Sequence, residues 1–375
     1  MFYPGGVAIA VFLNLLLLSK RNKTLADKIL AAWLLVISLH LLLFYFYETW
    51  LYPELLGAAL PLPLIHGPLL YIYTIALTTG NFSLRSAIIH FIPAIAVYIY
   101  LIPFFALPTE EKIFVFKNNG IGYETFSRIN SLAIIASGIF YVIVSSLALR
   151  RHRASIVNQF SSTEKISLQW LQYLIYWIGA IWFLVIFAND DWVFGAVVLF
   201  ILFIGFFGIR QVGIFNPTIS PTFKDTAENT IPVSELETVA VDKVADRPKY
   251  MRSGLTTDQA EMLHRSLNLL MREQKVFREG ELSLAELANR LNTLPNYLSQ
   301  VINEREGKNF YDYINTIRIE EFKRLAVSPD SRKYTLLALA QECGFNSKSS
   351  FNRYFKKVAG MSPSEYLDQS AQIAN

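Results

Sequence analysis

Hydrophobic positions follow two different patterns along this chain of 375 residues. Up to about residue 209 they form long continuous runs, whereas from residue 256 they recur at three- and four-residue steps between polar positions. A continuous run of roughly 20 residues can cross the hydrocarbon core of a bilayer, and the stepped pattern is typical of amphipathic helices. The pattern therefore predicts an all-α protein, with a transmembrane bundle followed by a soluble helical domain.

Seven apolar runs in the first part of the chain predict a bundle of seven transmembrane helices. The runs lie at residues 5–19, 29–47, 60–78, 87–107, 129–149, 170–188 and 192–209. Composition agrees with a membrane domain, because 53% hydrophobic and only 17% charged residues are atypical of a single soluble domain. We assign residues 1–215 to this domain.

Positive charges in the connecting loops predict the orientation of the bundle, because cytoplasmic loops retain Lys and Arg. The basic loop residues fall on one side of the alternating spans: Lys20, Arg21, Lys23, Lys28, Arg85, Arg150, Arg151, Arg153 and Lys165. The other side carries Glu48, Glu54, Asp190 and Asp191, with a mixed loop at 108–128. An odd number of spans then leaves the amino terminus outside and the carboxy-terminal part in the cytoplasm. We expect a multi-pass protein of the inner (cytoplasmic) membrane.

The soluble part begins with a linker at residues 216–250, in which Asp and Glu outnumber Lys and Arg and no periodicity is sustained. An acidic linker should avoid both anionic lipid and DNA. The remaining residues, 251–375, form the second domain. Its pattern predicts helices over 253–275, 310–327 and within two shorter helical pairs.

Each of these pairs has the form helix, short turn, helix. In the first, Ser283 can cap one helix and Pro295 can open the next; in the second, Gly344 supplies a left-handed turn and Ser347 a cap. This geometry lets the second helix of a pair enter a major groove. One pair alone would fit a generic helical hairpin equally well, and the second copy favours DNA binding. The helix over 310–327, roughly 27 Å long, would hold the two recognition helices about one DNA turn, ~34 Å, apart.

A family resemblance rests on the second pair and the residues after it. The residues that carry it are Ala340, Cys343, Gly344, Phe345, Ser347, Ser350, Phe351, Phe355, Lys356, Lys357, Gly360, Pro363 and Tyr366. In type and spacing they resemble the signature of the AraC-type transcriptional regulators. The resemblance covers about residues 260–366 and implies a domain of two helix-turn-helix units that acts at promoters.

The rest of the chain departs from most members of that family. They sense a soluble molecule through a cytoplasmic cupin-like barrel, and no run of alternating short strands could build one here. The membrane half instead resembles multispan sensors that are fused to such domains in bacteria, particularly the Bacteroidota. The family's cytosolic ligand pocket is therefore not carried over.

The second recognition helix offers the richest set of DNA-binding candidates, because no acidic residue occurs from 347 to 358. The candidates are Lys348, Ser349, Ser350, Asn352, Arg353, Lys356 and Lys357. By motif position, Ser349, Ser350 and Arg353 match family sites that contact bases or the groove. Arg can grip guanine with two hydrogen bonds, and Lys356 and Lys357 are expected at phosphates. A merely solvated basic face is the alternative.

The first recognition helix has fewer charges. Its candidates are Asn296, Tyr297, Ser299 and Gln300. Asn and Gln can read adenine, but they can equally contact only the backbone. Residues 251–375 hold 17 Lys and Arg against 15 Asp and Glu, so binding depends on where charge is placed, and we expect a homodimer.

Two histidines within the predicted spans, His40 and His66, are candidates for a sensor pocket, because ionisable groups are uncommon in membrane helices. Neutral histidines hydrogen-bonded between helices explain them as well. Pro61, Pro63 and Pro68 predict a broken or kinked third span. No enzyme motif, metal site or cofactor site is recognised in the sequence, and we expect no enzyme activity.

These observations predict a membrane-anchored, sequence-specific transcriptional regulator whose bundle senses a signal. Its expected partners are double-stranded DNA at promoters, the lipid bilayer, a second copy of the chain, an unknown signal ligand and RNA polymerase. One alternative is a transporter or other membrane protein whose attached domain controls its own operon. Another is a helix-turn-helix fold used only to dock proteins.

Overall fold

The computed structural model of the chain describes residues 3–79, 84–211, 255–328 and 333–374. These residues form helices, turns and one isolated β-bridge, so the all-α prediction is confirmed for this part of the chain. The chain divides into two compact bodies. One, the bundle, is Met1–Arg153 with Ser167–Ile214, and the other, the C-terminal body, is Ala154–Ile166 with Phe215–Asn375. The linker predicted at residues 216–250 lies outside the described residues.

The bundle is built from ten α-helices over the residues described. They are α1 Tyr3–Ser19, α2 Leu25–Thr49, α3 Pro63–Thr78, α4 Leu84–Ile88, α5 Ile92–Tyr100, α6 Ile102–Phe105, α7 Thr109–Lys117, α8 Glu124–Ile156, α9 Gln169–Phe187 and α10 Asp190–Gln211. Short 3-10 turns cover Pro53–Leu55 and Ile89–Phe91. Thr24 begins α2 with a capping box, because its hydroxyl accepts from the Asp27 backbone N–H while the Asp27 carboxylate accepts from that of Thr24.

Four described helices are long and apolar enough to cross a membrane, not the seven that the sequence predicted. They are Leu25–Thr49, Glu124–Ile156, Gln169–Phe187 and Asp190–Phe207. The other three predicted spans correspond to shorter apolar helices, Tyr3–Ser19, Pro63–Thr78 and Ser86–Tyr100. Proline explains two of the differences, because it lacks a backbone N–H and restricts the residue before it. Pro63 starts α3 late in its run, and Pro103 opens the separate helix α6.

The bundle has an apolar interior and an apolar exterior. Trp33, Leu34, Leu70, Leu171 and Ile201 are buried at its centre. Gly138 lets α8 approach the Trp182 ring on α9 so closely that a Cβ at this position would overlap the ring. On the outside, large apolar side chains point away from the protein, as Leu132 at 68% exposure and Phe187 at 71% illustrate. Water-soluble proteins rarely expose contiguous apolar surface of this kind.

The C-terminal body contains seven α-helices over the residues described. They are α11 Thr257–Glu273, α12 Leu284–Arg290, α13 Pro295–Glu306, α14 Phe310–Ala326, α15 Leu336–Glu342, α16 Lys348–Ala359 and α17 Pro363–Ala374. The predicted signals stand at the helix ends. Ser283 and Ser347 cap α12 and α16, Pro295 opens α13, and Gly344 has a φ of +96° in the turn between α15 and α16.

Two hydrophobic clusters form the core of this body, and α14 contributes to both. The first includes Leu267, Leu287, Leu298, Val301 and Ile314. The second includes Ile319, Phe322, Phe345, Phe351 and Phe355. The first cluster holds α12 and α13, the first helix-turn-helix unit, and the second holds α15 and α16, the second unit. α14 therefore packs against both units, and we call it the joining helix.

Residues 154–166, which connect α8 to α9 along the chain, belong to the C-terminal body. The sequence prediction placed everything up to residue 215 in the membrane domain, so the structure differs at this point. The isolated antiparallel bridge pairs Phe160 of this segment with Ser283, the residue that caps α12. We call residues 154–166 the docking segment.

Candidate nucleic-acid interface

The second recognition helix, α16, separates an apolar from a polar face. Phe351 and Phe355 lie four residues apart and are buried against Phe322 of α14, as expected from the sequence. The Ser347 hydroxyl accepts from the Ser350 backbone N–H and so fixes the start of the helix. Six of the seven predicted side chains are exposed on the other face: Lys348, Ser349, Asn352, Arg353, Lys356 and Lys357.

The charges on this face are of one sign. Lys357 Nζ lies 2.6 Å from the Asp312 carboxylate of α14, which partly neutralises its charge and limits its reach towards a phosphate. Arg353 makes a 3.5 Å contact from Nη2 to the Tyr311 hydroxyl, a distance at which little energy holds it in place. Lys348 and Lys356 are exposed. The arrangement can therefore attract an anionic backbone and present Arg353 to a base edge.

Ser350 differs from the position expected for a DNA contact, because it is buried. Its hydroxyl hydrogen-bonds to the carboxylate of Glu164, which belongs to the docking segment. Burial alone would raise the pKa of Glu164, but hydrogen bonds from Ser162 and Ser350 and the positive charge of Arg353 lower it. Sequence reasoning missed Glu164, since nothing in the local pattern connects it to a helix almost 200 residues away.

The first recognition helix, α13, offers less to a nucleic acid. Asn296 is exposed near its start, and Tyr297 and Ser299 are half-buried. Gln300 is buried and its Nε2 donates to the Glu304 carboxylate over 3.0 Å, which differs from the outward orientation expected from the sequence. Glu304 is exposed and adds negative charge towards the end of this helix. The described face of α13 therefore suits contact at its first turn only.

A buried arginine that the sequence interpretation overlooked lies where the two units meet. Arg318 of α14 is 1% exposed. Its Nε donates to the Phe277 carbonyl at 2.7 Å, and its Nη2 to the Glu279 carbonyl at 2.6 Å. Burial lowers its pKa to about 10, so it stays charged at neutral pH. The signal was present, because Arg318 lies four residues from both Ile314 and Phe322 and so falls on the apolar stripe of α14.

An ionic cluster beside Arg318 also ties α14 to the first unit. Glu321 accepts from Lys275 Nζ at 2.9 Å and from Arg278 Nη2 at 2.6 Å, and it pairs with Arg324 one turn along α14. The hydrogen bond from Arg324, with those from Lys275 and Arg278, holds the pKa of Glu321 far below its usual value, although burial acts against it. The cluster orients the segment before α12 on the joining helix.

The two histidines predicted to share a pocket lie together within the bundle. His66 Nε2 is 3.0 Å from His40 Nδ1, and Trp33 Nε1 donates to His66 Nδ1 over 3.3 Å. An indole N–H can only donate, so neutral His66 carries its proton on Nε2 and donates to His40. His40 then carries its proton on Nε2, and this N–H has no acceptor within the described part of the chain.

A cavity of about 360 Å³ adjoins these rings. Its walls come from five helices and are mostly apolar, with Ile37 and His40 of α2, Ile134 of α8, Ile181 of α9 and Phe194 of α10 among them. A volume of this size is within the range of small-molecule sites, and an apolar wall with few polar groups is typical of them. The alternative that the sequence left open, histidines hydrogen-bonded between helices, describes the same geometry, and the cavity adds a place for a ligand.

Comparison with known proteins identifies the C-terminal helices. Residues 287–369 match the family described as a helix-turn-helix domain. The chain is 28% identical over 152 residues to the uncharacterized HTH-type transcriptional regulator YtdP of Bacillus subtilis, an overlap of 40% of this chain and 18% of that protein. It is 35% identical over 85 residues to YobQ of the same organism, described in the same words, covering 23% of this chain and 34% of the relative.

A third relative, the uncharacterized HTH-type transcriptional regulator YijO of Escherichia coli, is 36% identical over 75 residues, or 20% of this chain and 25% of that protein. The chain therefore spans between about a fifth and a third of the length of these relatives. The similarity supports the helix-turn-helix domain predicted at the carboxy terminus. It leaves the rest of the chain to be interpreted from its own residues.

Proposed function

We propose that this chain is a membrane-anchored, sequence-specific DNA-binding transcriptional regulator. The observation that carries the proposal is α16, a capped recognition helix with four exposed cations and no acid, within a domain similar to those of transcriptional regulators. In this proposal α16 enters a major groove, where Asn352 and Arg353 meet base edges and Lys348 and Lys356 meet phosphates. Asn296 at the start of α13 contacts an adjacent groove or backbone.

Affinity from one copy is limited, because the net charge of residues 251–375 is small and acidic side chains occur on α13. A homodimer doubles the number of phosphate contacts, and each contact releases counterions. We therefore propose that two copies bind a promoter together. Contact with RNA polymerase from such a site is an expectation of the same proposal.

The exposed apolar side chains of the bundle support anchoring in a bilayer. Lipid tails would cover surfaces such as those of Leu132 and Phe187, which water would not favour. In this proposal the four long apolar helices cross the membrane, and the three shorter ones, Tyr3–Ser19, Pro63–Thr78 and Ser86–Tyr100, lie in the membrane beside them. The DNA-binding domain then lies in the cytoplasm.

The cavity beside His40 and His66 supports a sensory role for the bundle. It would bind a predominantly apolar molecule that carries at least one hydrogen-bond acceptor, because the His40 Nε2–H is the donor at the end of the Trp33–His66–His40 series. A ligand that packs against α2, α8 and α10 at once would favour one arrangement of these helices over others.

Chromosomal binding of the full-length protein in its host tests the DNA-binding proposal. Crosslinking and pull-down should recover discrete promoter sites with the native chain and lose them with Arg353→Ala. Arg272→Ala, which removes an exposed cation from α11, is the matched control and should retain the sites. Equal recovery with Arg353→Ala would contradict base reading by α16, and absence of sites with every variant would favour a protein-docking module.

Membrane topology is tested with single cysteines. Asn118→Cys, in the loop before α8, should react with an impermeant maleimide in intact spheroplasts, and Lys165→Cys should react only after lysis. Both positions are exposed, whereas the native Cys343 is buried and its pKa is raised to about 12, chiefly by burial, so it gives little background. Labelling of both positions in intact spheroplasts would contradict the proposed orientation.

A further inference from the structure

The docking segment is bound to the C-terminal body through its backbone. The Val157 carbonyl accepts from the Tyr311 N–H at 3.0 Å, and the Gln159 carbonyl accepts from the Leu284 N–H at 2.8 Å. Tyr311 and Leu284 lie in the first turns of α14 and α12, where backbone donors have no partner within their own helix. The Ser161 N–H donates to the Leu282 carbonyl at 3.1 Å. The turn that follows α8 and the bridged residue after it thus complete the starts of two helices.

The centre of the segment lies against the joint between the two helix-turn-helix units. Ser161 is 1% exposed, and its carbonyl accepts from Asn315 Nδ2 at 3.0 Å and from Arg318 Nη1 at 3.3 Å. The Ser161 hydroxyl accepts from Arg318 Nη2 at 3.2 Å. Arg318 therefore holds this segment and the carbonyls before α12 at the same time, and the three elements form one buried polar network.

The last part of the segment reaches the second unit. Asn346, in the turn before α16, donates to the Ser162 hydroxyl at 3.3 Å. Glu164 accepts a hydrogen bond from Ser350 of α16 and lies within the electrostatic field of Arg353. Lys165 pairs with Glu281 of the first unit over 2.6 Å, with both side chains exposed. The segment therefore contacts the first unit, the joining helix and the recognition helix.

We propose that the docking segment is an internal competitor of DNA: it locks both helix-turn-helix units in one arrangement and places the Glu164 carboxylate beside Ser350 and Arg353, where DNA would approach α16. This inference rests on the proposed DNA-binding function. A carboxylate at the start of a recognition helix offers the oxygen acceptors and negative charge that a phosphate or a guanine edge offers to the same arginine. DNA that approaches Arg353 must overcome the negative charge that Glu164 places near that side chain.

The segment's position in the chain gives this competition a route to the membrane. The segment begins with the last three residues of α8 and ends two residues before α9, and both helices contribute walls to the cavity beside His40. A ligand that changes the spacing of α8 and α9 would pull on both ends of the segment. Release of Glu164 and of the backbone bonds would then leave α16 accessible to DNA.

Locking the segment in place tests the competition. Lys165→Cys with Glu281→Cys, in the full chain held in lipid nanodiscs, can be joined by a short, reductant-cleavable bis-maleimide. The probe is a labelled duplex recovered from a random-sequence library by the native chain or by Glu164→Gln. The joined protein should bind this duplex at least about tenfold more weakly than the same protein after cleavage, the size of one charge-assisted contact. Lys165→Cys alone, treated identically, should show no difference.

A second comparison removes the charge without joining the chain. Glu164→Gln should bind the duplex roughly three- to tenfold more tightly than the native chain, because the partial charge that opposes DNA is lost. Glu273→Gln, which removes an exposed acid at the end of α11, should change affinity less. This control separates competition at α16 from a general change of net charge.

Three outcomes decide the matter. Weaker binding of the joined protein that is restored by cleavage supports the competition. Equal binding of the duplex before and after cleavage contradicts the competition. Because the protein still binds DNA in that case, the proposed DNA-binding function is unaffected. If neither the native chain nor Glu164→Gln recovers any duplex, the DNA-binding function is contradicted and the competition with it, even where the cross-link forms.

Discussion

The two recognition helices, α13 and α16, occupy equivalent places in their units and offer very different surfaces. α16 exposes cations along its outer face, whereas α13 exposes Asn296 near its start, buries Gln300 and carries Glu304 towards its end. Both helices pack on α14 through comparable apolar clusters. The two units thus share a scaffold, and in the proposed function they divide the work: α16 supplies attraction and base reading, and α13 supplies position.

The largest effect is expected from the joint that the two units share. Arg318→Met should destabilise the C-terminal body by on the order of 3 to 5 kcal/mol, because it leaves buried carbonyls without their donor. Hydrogen exchange of the full chain, followed by mass spectrometry, should accelerate over α12–α13 and α15–α16 alike. Arg324→Met is the control on the same helix, since its side chain is 58% exposed and its loss should accelerate exchange much less than Arg318→Met does. If hydrogen exchange accelerated in only one unit, the stability of the other unit would not depend on Arg318.

The next effect sharpens the difference between the helices. Arg353→Ala should lower affinity for a specific duplex by about 1 to 3 kcal/mol and relax selectivity at one base pair, as loss of a two-bond contact to guanine would. Fluorescence anisotropy with matched and single-substituted duplexes measures both quantities. A uniform loss of affinity across all duplexes would instead place Arg353 at a phosphate.

Acid should weaken the attachment of the first unit through Glu321. Its pKa is lowered in the folded protein, so its contribution to stability is present above the ordinary value of 4.5 and is lost as pH falls below that value towards the folded pKa. Exchange over α11 and α12 should therefore rise below about pH 4.5 in the native chain. Glu321→Gln should be less stable at pH 7 and should show a smaller change over the same pH range. If exchange in Glu321→Gln rose below pH 4.5 as much as in the native chain, other carboxyl groups would be responsible for the loss of stability in acid.

The smallest effect is expected on α13. Asn296→Ala should reduce affinity for the specific duplex by less than about 1 kcal/mol, which is within the range of a single neutral hydrogen bond. The ratio of the affinity losses caused by Asn296→Ala and Arg353→Ala measures how the binding energy is divided between the two units. An equal or larger loss would mean that α13 reads bases as strongly as α16, and the comparison would fail.

The sequence alone predicted the structure correctly wherever a short stretch of residues determines its own local conformation. The caps at Ser283 and Ser347, the proline that opens α13 and the glycine between α15 and α16 are local devices, and each stands where the sequence placed it. The outward face of α16 follows from the spacing of Phe351 and Phe355. Apolar runs also located the apolar helices of the bundle, but run length alone overestimated the helices in proline-rich runs, where a missing backbone N–H ends a helix early.

Tertiary structure decided whatever depends on residues far apart in the chain. No local pattern indicates that Ser350 and Gln300 are buried or that Glu164 contacts the recognition helix. Arg318 at the joint has one local signal, its spacing on the apolar stripe of α14. Helical periodicity reports which face of a helix is apolar, but it does not report what covers that face. A connecting segment with few apolar residues could therefore be read as a membrane loop, while its backbone hydrogen bonds make it part of the C-terminal body.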